Sequence, residues 1–316
     1  MKKWKAGAYI ILALVIAASS FLLGARWHGD TEAETEAKSQ AVTHPLLASR
    51  IFNENAPDTI INFEPLRRQL RAELASYGAA NASLYFEYLP TGTSIRIGDN
   101  TQLIGASLLK LPFVMDLYYL EDMNKFNMDD KVELKAEWLN SQYGELYKKG
   151  AGYKLSIRDL VKITLEDSDN TALNGVQAIA SSYKLPPAES SFNALDVDFT
   201  DSETTMLSLT ARSYSSFLKC LYFACYVSPD HSQEILGYLT ETSVGTERMV
   251  KYLPNETLVA HKIGTLGERT QSDCGIVYVK NRNYVLCVML NDDQAGGGEV
   301  IAKLSDYVYK YVTASD

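Results

Sequence analysis

Ile104-Gly-Ala-Ser-Leu-Leu-Lys-Leu-Pro112 is the stretch on which the reading of this chain turns. A small-residue turn leads into an apolar run carrying Ser107 and, three residues on, Lys110. A helix beginning near Ser107 stacks residues three apart on one face, bringing the lysine amine towards the serine hydroxyl. A free serine hydroxyl is a weak nucleophile and needs a base beside it. A helix N-terminus also favours negative charge developing there. Ser-x-x-Lys recurs at Ser181 to Lys184 and Ser216 to Lys219, so the first copy matters only if the chain supplies its partners in order.

Two further stretches carry the same kind of chemistry. Ser168-Asp169-Asn170 follows the apolar run Leu160 to Leu165 and, taken alone, reads as a helix N-cap. Val259-Ala-His-Lys-Ile-Gly-Thr265 reads as a strand, with Lys262 followed by Gly264. Alone it is an edge strand with a solvated lysine and a bulge glycine. Taken together, Ser-x-x-Lys, Ser-Asp-Asn and Lys-x-Gly resemble the serine β-lactamase and penicillin-binding protein superfamily, most closely its class A β-lactamase branch. Thr242-Ser-Val-Gly-Thr-Glu-Arg248, running on to Leu253-Pro254, and the 61 residues from Ser107 to Ser168 are also similar to that branch. The resemblance spans roughly Asn62 to Tyr311.

The resemblance implies roles for particular residues. Ser107 is the acylated nucleophile, Lys110 its base or proton relay, and Ser168 passes a proton to the leaving nitrogen. Asn170 holds the substrate amide, and Lys262 attracts the substrate carboxylate. The backbone N–H groups of Ser107 and Thr265 form the oxyanion hole, with Gly264 letting backbone approach the ligand. Tyr143 falls where the family places an aromatic at the cleft mouth, and equally suits a core ring. Arg269 is a second candidate for carboxylate binding, or a solvated turn charge.

Two departures from the family pattern stand out. Ile263 replaces the threonine of Lys-Thr-Gly, which changes little if its side chain points away from the ligand. More seriously, no Glu-x-x-Leu-Asn occurs between Ser168 and Lys262, where class A enzymes carry the glutamate that positions the deacylating water. Glu189, Asp196, Asp198, Asp201 and Glu203 lie in that interval, none in the expected setting. Without such a base, acylation proceeds and deacylation stalls.

Outward from the motifs, the hydrophobic pattern predicts a helix over 62–77, strands over 82–89 and 94–98, and a helical stretch from Ser107 to about Leu173 that includes a segment from Ser156 to Ile179. Residues 181–201 read as a surface loop. Helices follow over 207–226 and 233–241, strands over 257–264, 270–279 and 284–291, and a last helix over 300–312. Ser156 with Asp159 reads as an N-cap and its third-position acid. The order predicts an α/β (α+β) fold, an antiparallel sheet flanked by helices with an all-helical second lobe. A cleft between the lobes is the expected site.

Composition sets the wider bounds. The 316 residues are 46% apolar and 22% charged, and the net charge of −9 has no basic cluster beyond the first few positions. Nucleic-acid binding is therefore not expected. His28, His44, His231 and His261 are scattered, so neither a metal site nor another cofactor is predicted. Ala6 to Ala25 is uncharged and mostly apolar, preceded by Lys2, Lys3 and Lys5 and followed by Asp30, Glu32, Glu34 and Glu36. That pattern predicts a single membrane-spanning anchor with the body outside the cytoplasm; a cleaved signal peptide is the rival reading. Residues 26–59 read as a flexible linker and 60–316 as the hydrolase domain. Cys220 and Cys225 are expected to point apart on one helix. Cys274 and Cys287 fall on successive strands, and all four are read as buried thiols in a compartment that permits disulfides.

The function these features imply is a membrane-anchored, extracytoplasmic serine hydrolase, expected to be monomeric, that forms an acyl-enzyme on Ser107 with a β-lactam or related amide. The alternatives are a peptidoglycan D,D-peptidase with slow deacylation and a non-catalytic wall-binding or sensory domain.

Overall fold

The computed structural model describes residues 62–77, 81–201, 207–267, 269–291 and 296–314. Among them, no helix is long and apolar enough to cross a membrane. The predicted anchor at 6–25 and the linker at 26–59 lie outside the described residues.

A five-stranded antiparallel sheet carries the fold. The chain enters through helix α1 (Glu64–Ser76) and forms the hairpin β1 (Ala82–Tyr88) and β2 (Thr93–Ile97). It returns at its far end through β8 (Leu258–Leu266), β9 (Thr270–Tyr278) and β10 (Tyr284–Asn291), and closes with α8 (Gly297–Thr313). The strand order is β2-β1-β10-β9-β8, so the first and last segments share one sheet and β8 forms an edge. Seven of the eight β10 residues are buried, as expected for a strand covered on both faces. Leu66, Leu70 and Leu74, at helical spacing on α1, meet Phe86, Leu286, Ile301, Leu304 and Val308 in one core on that side. On the opposite side lies α6 (Ala211–Phe223), which packs against β1, β9 and β10.

Between the two sheet segments lies the helical portion. Its centre is α2 (Lys110–Asp122), whose Leu111, Val114, Met115, Leu117 and Tyr118 are all fully buried. Packed on α2 are α3 (Ile157–Glu166) and α4 (Asn170–Ser182). The capping box of α3 forms as predicted: Asp159 N–H donates to Ser156 Oγ at 3.0 Å, and Ser156 N–H to Asp159 Oδ2 at 3.4 Å.

Four features differ from the sequence expectation. The helical pattern from Ser156 to Ile179 breaks at 167–169, where Ser168 takes a positive φ of 56°. Residues 207–209 are not helical but form β7 (Leu207–Leu209), pairing with β3 (Leu103–Ile104) and β6 (Phe199–Asp201); α6 starts only after the Thr210 cap. The expected loop over 181–201 contains the short helix α5 (Ser191–Ala194) as well as β6. Among the described residues there is no free thiol: Cys220 pairs with Cys225 and Cys274 with Cys287. The first pair forms because α6 ends at Phe223 and Ala224 turns left-handed, so Cys225 N–H folds back onto the Cys220 carbonyl. The second forms because the β9–β10 register places Cys274 directly opposite Cys287.

Candidate active site

Ser107 lies in a 3-10 turn, Ala106–Leu109, that runs straight into α2. Ala106 holds a positive φ of 45°, which turns the chain so that half-buried Ser107 faces a cleft of about 350 Å³. Lys110 begins α2 and is 2% exposed. Its ammonium donates to Asn170 Oδ1 at 2.9 Å, to Ser168 Oγ at 3.1 Å and to the Ser168 carbonyl. Thus the lysine joins the Ser168 turn, and Ser107 is not among its hydrogen-bond partners. Burial pulls the Lys110 pKa down to about 8, with the Asp169 carboxylate opposing that shift. An amine in that range can take a proton near neutral pH.

The Ser168 turn is fixed by Asp169, which is 1% exposed. One carboxylate oxygen caps α4 by accepting from Ala172 N–H at 2.9 Å, and the other accepts from Leu146 N–H at 2.8 Å. Gly144 passes so close that a Cβ there would come within 2.0 Å of Asp169 Oδ2. This packing forces Ser168 into its left-handed conformation and aims its hydroxyl at both lysines.

Lys262, on the edge strand β8, completes the arrangement. It is fully buried and donates to Ser168 Oγ at 2.9 Å. Burial and the neighbouring Lys110 cation push its pKa well below the ordinary lysine value. Gly264 is needed where β8 crosses the Ser107 turn, since a Cβ there would lie 2.8 Å from the Gly105 carbonyl. Ser107, Tyr143, Ser168, Asn170 and Thr265 all line the cleft. Tyr143 is 41% exposed, which settles it as a cleft residue and not a core ring, and Lys110 Nζ lies 5.9 Å from its ring centroid. Arg269 is exposed in the turn before β9, outside the cleft lining.

Ile263 also borders the cleft, but its side chain packs on Gly245, where a Cβ would lie 2.3 Å from Ile263 Cγ2. It offers no hydroxyl. The residue that sequence reasoning missed is Arg248, noted there only within a longer resembling stretch. It is 5% exposed, and its guanidinium donates to the Gly264 carbonyl at 3.1 Å, the Ser272 carbonyl at 2.9 Å and Thr265 Oγ1 at 2.7 Å. An arginine seven residues into a turn-rich stretch gives no local sign that it will reach back over β8. Gln142, Leu266 and Gly267, also at the cleft, were likewise not singled out.

Among the described residues no carboxylate lines this cleft, and no group of His, Cys, Asp and Glu side chains is arranged to hold a metal ion. A larger groove of about 540 Å³ beside Trp138 contains none of the residues above, so the chemistry belongs to the smaller one. A half-buried serine on a turn, a lysine of lowered proton affinity, and a second serine held between two lysines can carry out acyl transfer.

Residues 65–312 match the sequence pattern of the β-lactamase enzyme family, and the chain belongs to that family. It is a serine hydrolase of the β-lactamase class. A β-lactamase from Bacteroides uniformis is 23% identical over 245 residues, covering 69% of this chain and 82% of that protein. Among solved structures, PBP-A superposes with a TM-score of 0.71 at 18% identity, covering 79% of this chain and 97% of PBP-A. The TLA-3 extended-spectrum β-lactamase gives 0.71 at 18%, covering 79% and 99%.

Proposed function

We propose that this protein is anchored in a membrane by residues 6–25, with its hydrolase domain monomeric and extracytoplasmic, and that β-lactams acylate Ser107. The observation that carries the acylation step is the shared hold of Lys110 and Lys262 on Ser168 Oγ beside the Ser107 turn. On opening of a lactam ring, neutral Lys110 takes the Ser107 proton, directly or through Ser168, as Ser107 Oγ bonds to the carbonyl carbon. As the ring C–N bond breaks, Ser168 delivers its proton to the leaving nitrogen and takes one back from the Lys110 ammonium, 3.1 Å away. The N–H groups of Ser107 and Thr265 receive the oxyanion. With Ile263 in the usual threonine position, the substrate carboxylate is received by Lys262 and by Thr265 Oγ1, which Arg248 holds in place. Pairing of all four cysteines supports an oxidising compartment.

A second reading, a D,D-peptidase-like enzyme whose acyl-enzyme is released slowly, is favoured by one observation. Among the described residues the cleft has no carboxylate to activate water. Intact-mass spectrometry of the protein with penicillin G, following adduct and free drug over time, tests both readings. A one-to-one adduct that forms in wild type and is absent from Ser107→Ala is expected. A persistent adduct selects slow release, and a transient adduct with rapid drug loss selects turnover. Labelling that survives Ser107→Ala removes Ser107 from its role.

A further inference from the structure

Three buried cations crowd one side of the cleft: Lys110, Lys262 and Arg248 are 2%, 0% and 5% exposed. Buried charge is costly unless it is compensated. Lys110 has the Asp169 carboxylate close enough to raise its proton affinity. Among the described residues Lys262 touches no carboxylate: its hydrogen bonds go to Ser168 Oγ and, at 3.4 Å, to the Ile263 carbonyl. The remaining buried carboxylate in the region is Asp273 on β9, 0% exposed and in register opposite Ile263.

We infer that Asp273 is a positioning residue of the reaction: fixed one strand behind the cleft, it keeps Lys262 cationic and the Arg248 turn in place, and so sets the enzyme's demand for a substrate carboxylate. This rests on the reading that Ser107 is acylated by β-lactams.

Both Asp273 oxygens are occupied. Oδ1 lies 2.8 Å from His261 Nδ1, and Oδ2 accepts from Met249 N–H at 3.1 Å. The carboxylate therefore cannot swing to Lys262 and acts on it through its field, which is weakly screened in a dry interior. Burial, then the Lys110 cation, and to a smaller degree Arg248, all depress the proton affinity of Lys262, and Asp273 is the group that opposes them. The same carboxylate pins Met249, the residue after Arg248, and thereby the guanidinium that presents Thr265 Oγ1.

The local sequence is arranged around this pair. Gly275 leaves room for His261, because a Cβ there would lie 2.6 Å from His261 Cβ. From the other side α6 contributes Tyr214, a fully buried phenol whose pKa is raised by burial and then by Asp273. Among the described residues, Lys110, Arg248 and Asp273 are the charged groups that act on Lys262, and His261 and Tyr214 are titratable groups that face Asp273.

The experiment compares acylation of wild type and Asp273→Asn by penicillin G and by its methyl ester, which lacks the carboxylate, across pH. Wild type is expected to favour the acid. Asp273→Asn should slow acylation by the acid on the order of tenfold and by the ester less than about twofold, and should move the alkaline limb of the acid's profile to lower pH. An unchanged acid-to-ester preference, with both rates lowered alike, would mean a merely structural role and overturn the inference. A second measurement needs no substrate: titration of the Lys262 Cε signal in isotopically labelled wild type and Asp273→Asn, assigned with Lys262→Arg, with the titration expected at lower pH in Asp273→Asn and an unmoved titration overturning the inference. An ammonium at pH 7 is expected, and a neutral amine there overturns the inference. If penicillin fails to label wild type, the acylation reading fails, while the Lys262 titration still decides the role of Asp273.

Discussion

The floor of the cleft and the segment from Ser181 to Leu209 are built to different standards. On the floor, Lys110, Ser168, Asp169 and Lys262 are each no more than 2% exposed and tied by several short hydrogen bonds. The described part of the segment is held by packing of Phe192 against Phe199 and Phe217, by the short β3–β7–β6 pairing and by a few polar contacts to its neighbours. Asp116 Oδ1 accepts from Ser191 N–H at 2.7 Å, and the Tyr226 hydroxyl donates to the Glu189 carbonyl at 2.7 Å. Asp116 Oδ1 also accepts from the Tyr226 hydroxyl at 3.1 Å, and Asp116 is not among the residues lining the cleft, so this carboxyl ties the segment to its neighbours. Glu189, Asp196 and Asp198 are absent from the cleft lining, and Glu203 lies outside the described residues. A two-step acyl transfer needs a proton acceptor for each step. The floor holds a candidate for the first in Lys110, whose pKa burial lowers to about 8, and the described part of the segment shows no candidate for the second.

Removing the first acceptor is the largest way to test that division. Lys110→Ala should slow acylation of Ser107 by about 10²- to 10⁴-fold, the range for loss of a general base. In wild type the neutral amine is the active form, so acylation should rise with pH through about 8 as Lys110 loses its proton, before the alkaline limb set by Lys262. Glu189→Gln should leave acylation unchanged. Stopped-flow labelling with a chromogenic cephalosporin measures all three. An acylation rate that is flat from pH 6 to 9 would remove Lys110 as the base.

Gly144 tests how firmly the floor is held. Its φ of 90° and its contact with Asp169 leave no space for a side chain. Gly144→Ala should therefore cost about 3 kcal/mol or more in urea unfolding, and slow acylation as Asp169 is displaced. Gly150 is also at positive φ (76°), but a Cβ there would meet nothing within 4 Å, so it isolates the backbone contribution. Gly150→Ala should cost about 1 kcal/mol and leave acylation intact. Equal costs would show that the Gly144–Asp169 contact is not what fixes the Ser168 turn.

The same contrast explains what the sequence disclosed. Ser107, Lys110, Ser168, Asn170 and Lys262 could be located because their chemistry demands particular residue types, and the hydrophobic periods placed the sheet and most helices within a few residues. Asp273 and Arg248 act across strands, through register and a turn that folds back, and neither leaves a mark in its local sequence. The pairing of Leu207–Leu209 with Leu103–Ile104 was missed because a three-residue apolar run before a helix has no period of its own. The Cys220–Cys225 bridge was missed because helical geometry was extended one turn too far. Ala224 in the left-handed conformation ends α6 between the two cysteines, although alanine seldom marks a helix end.

The two disulfides carry the comparison into the scaffold. Cys274–Cys287 ties β9 to β10 across 13 residues of sequence, and Cys274 stands in register opposite Lys262. Cys220–Cys225 closes only five residues at the end of α6. Loop-closure entropy then gives about 3 kcal/mol for the first bridge and about 2 kcal/mol for the second. Replacing each pair with serine and measuring urea unfolding should give that order. The larger difference lies in function: loss of Cys274–Cys287 should loosen the strand that backs Lys262 and slow acylation by penicillin, while loss of Cys220–Cys225 should not. If the α6 bridge slows acylation as much as the sheet bridge, the support of Lys262 runs through the whole scaffold and is not concentrated in the strands directly behind it.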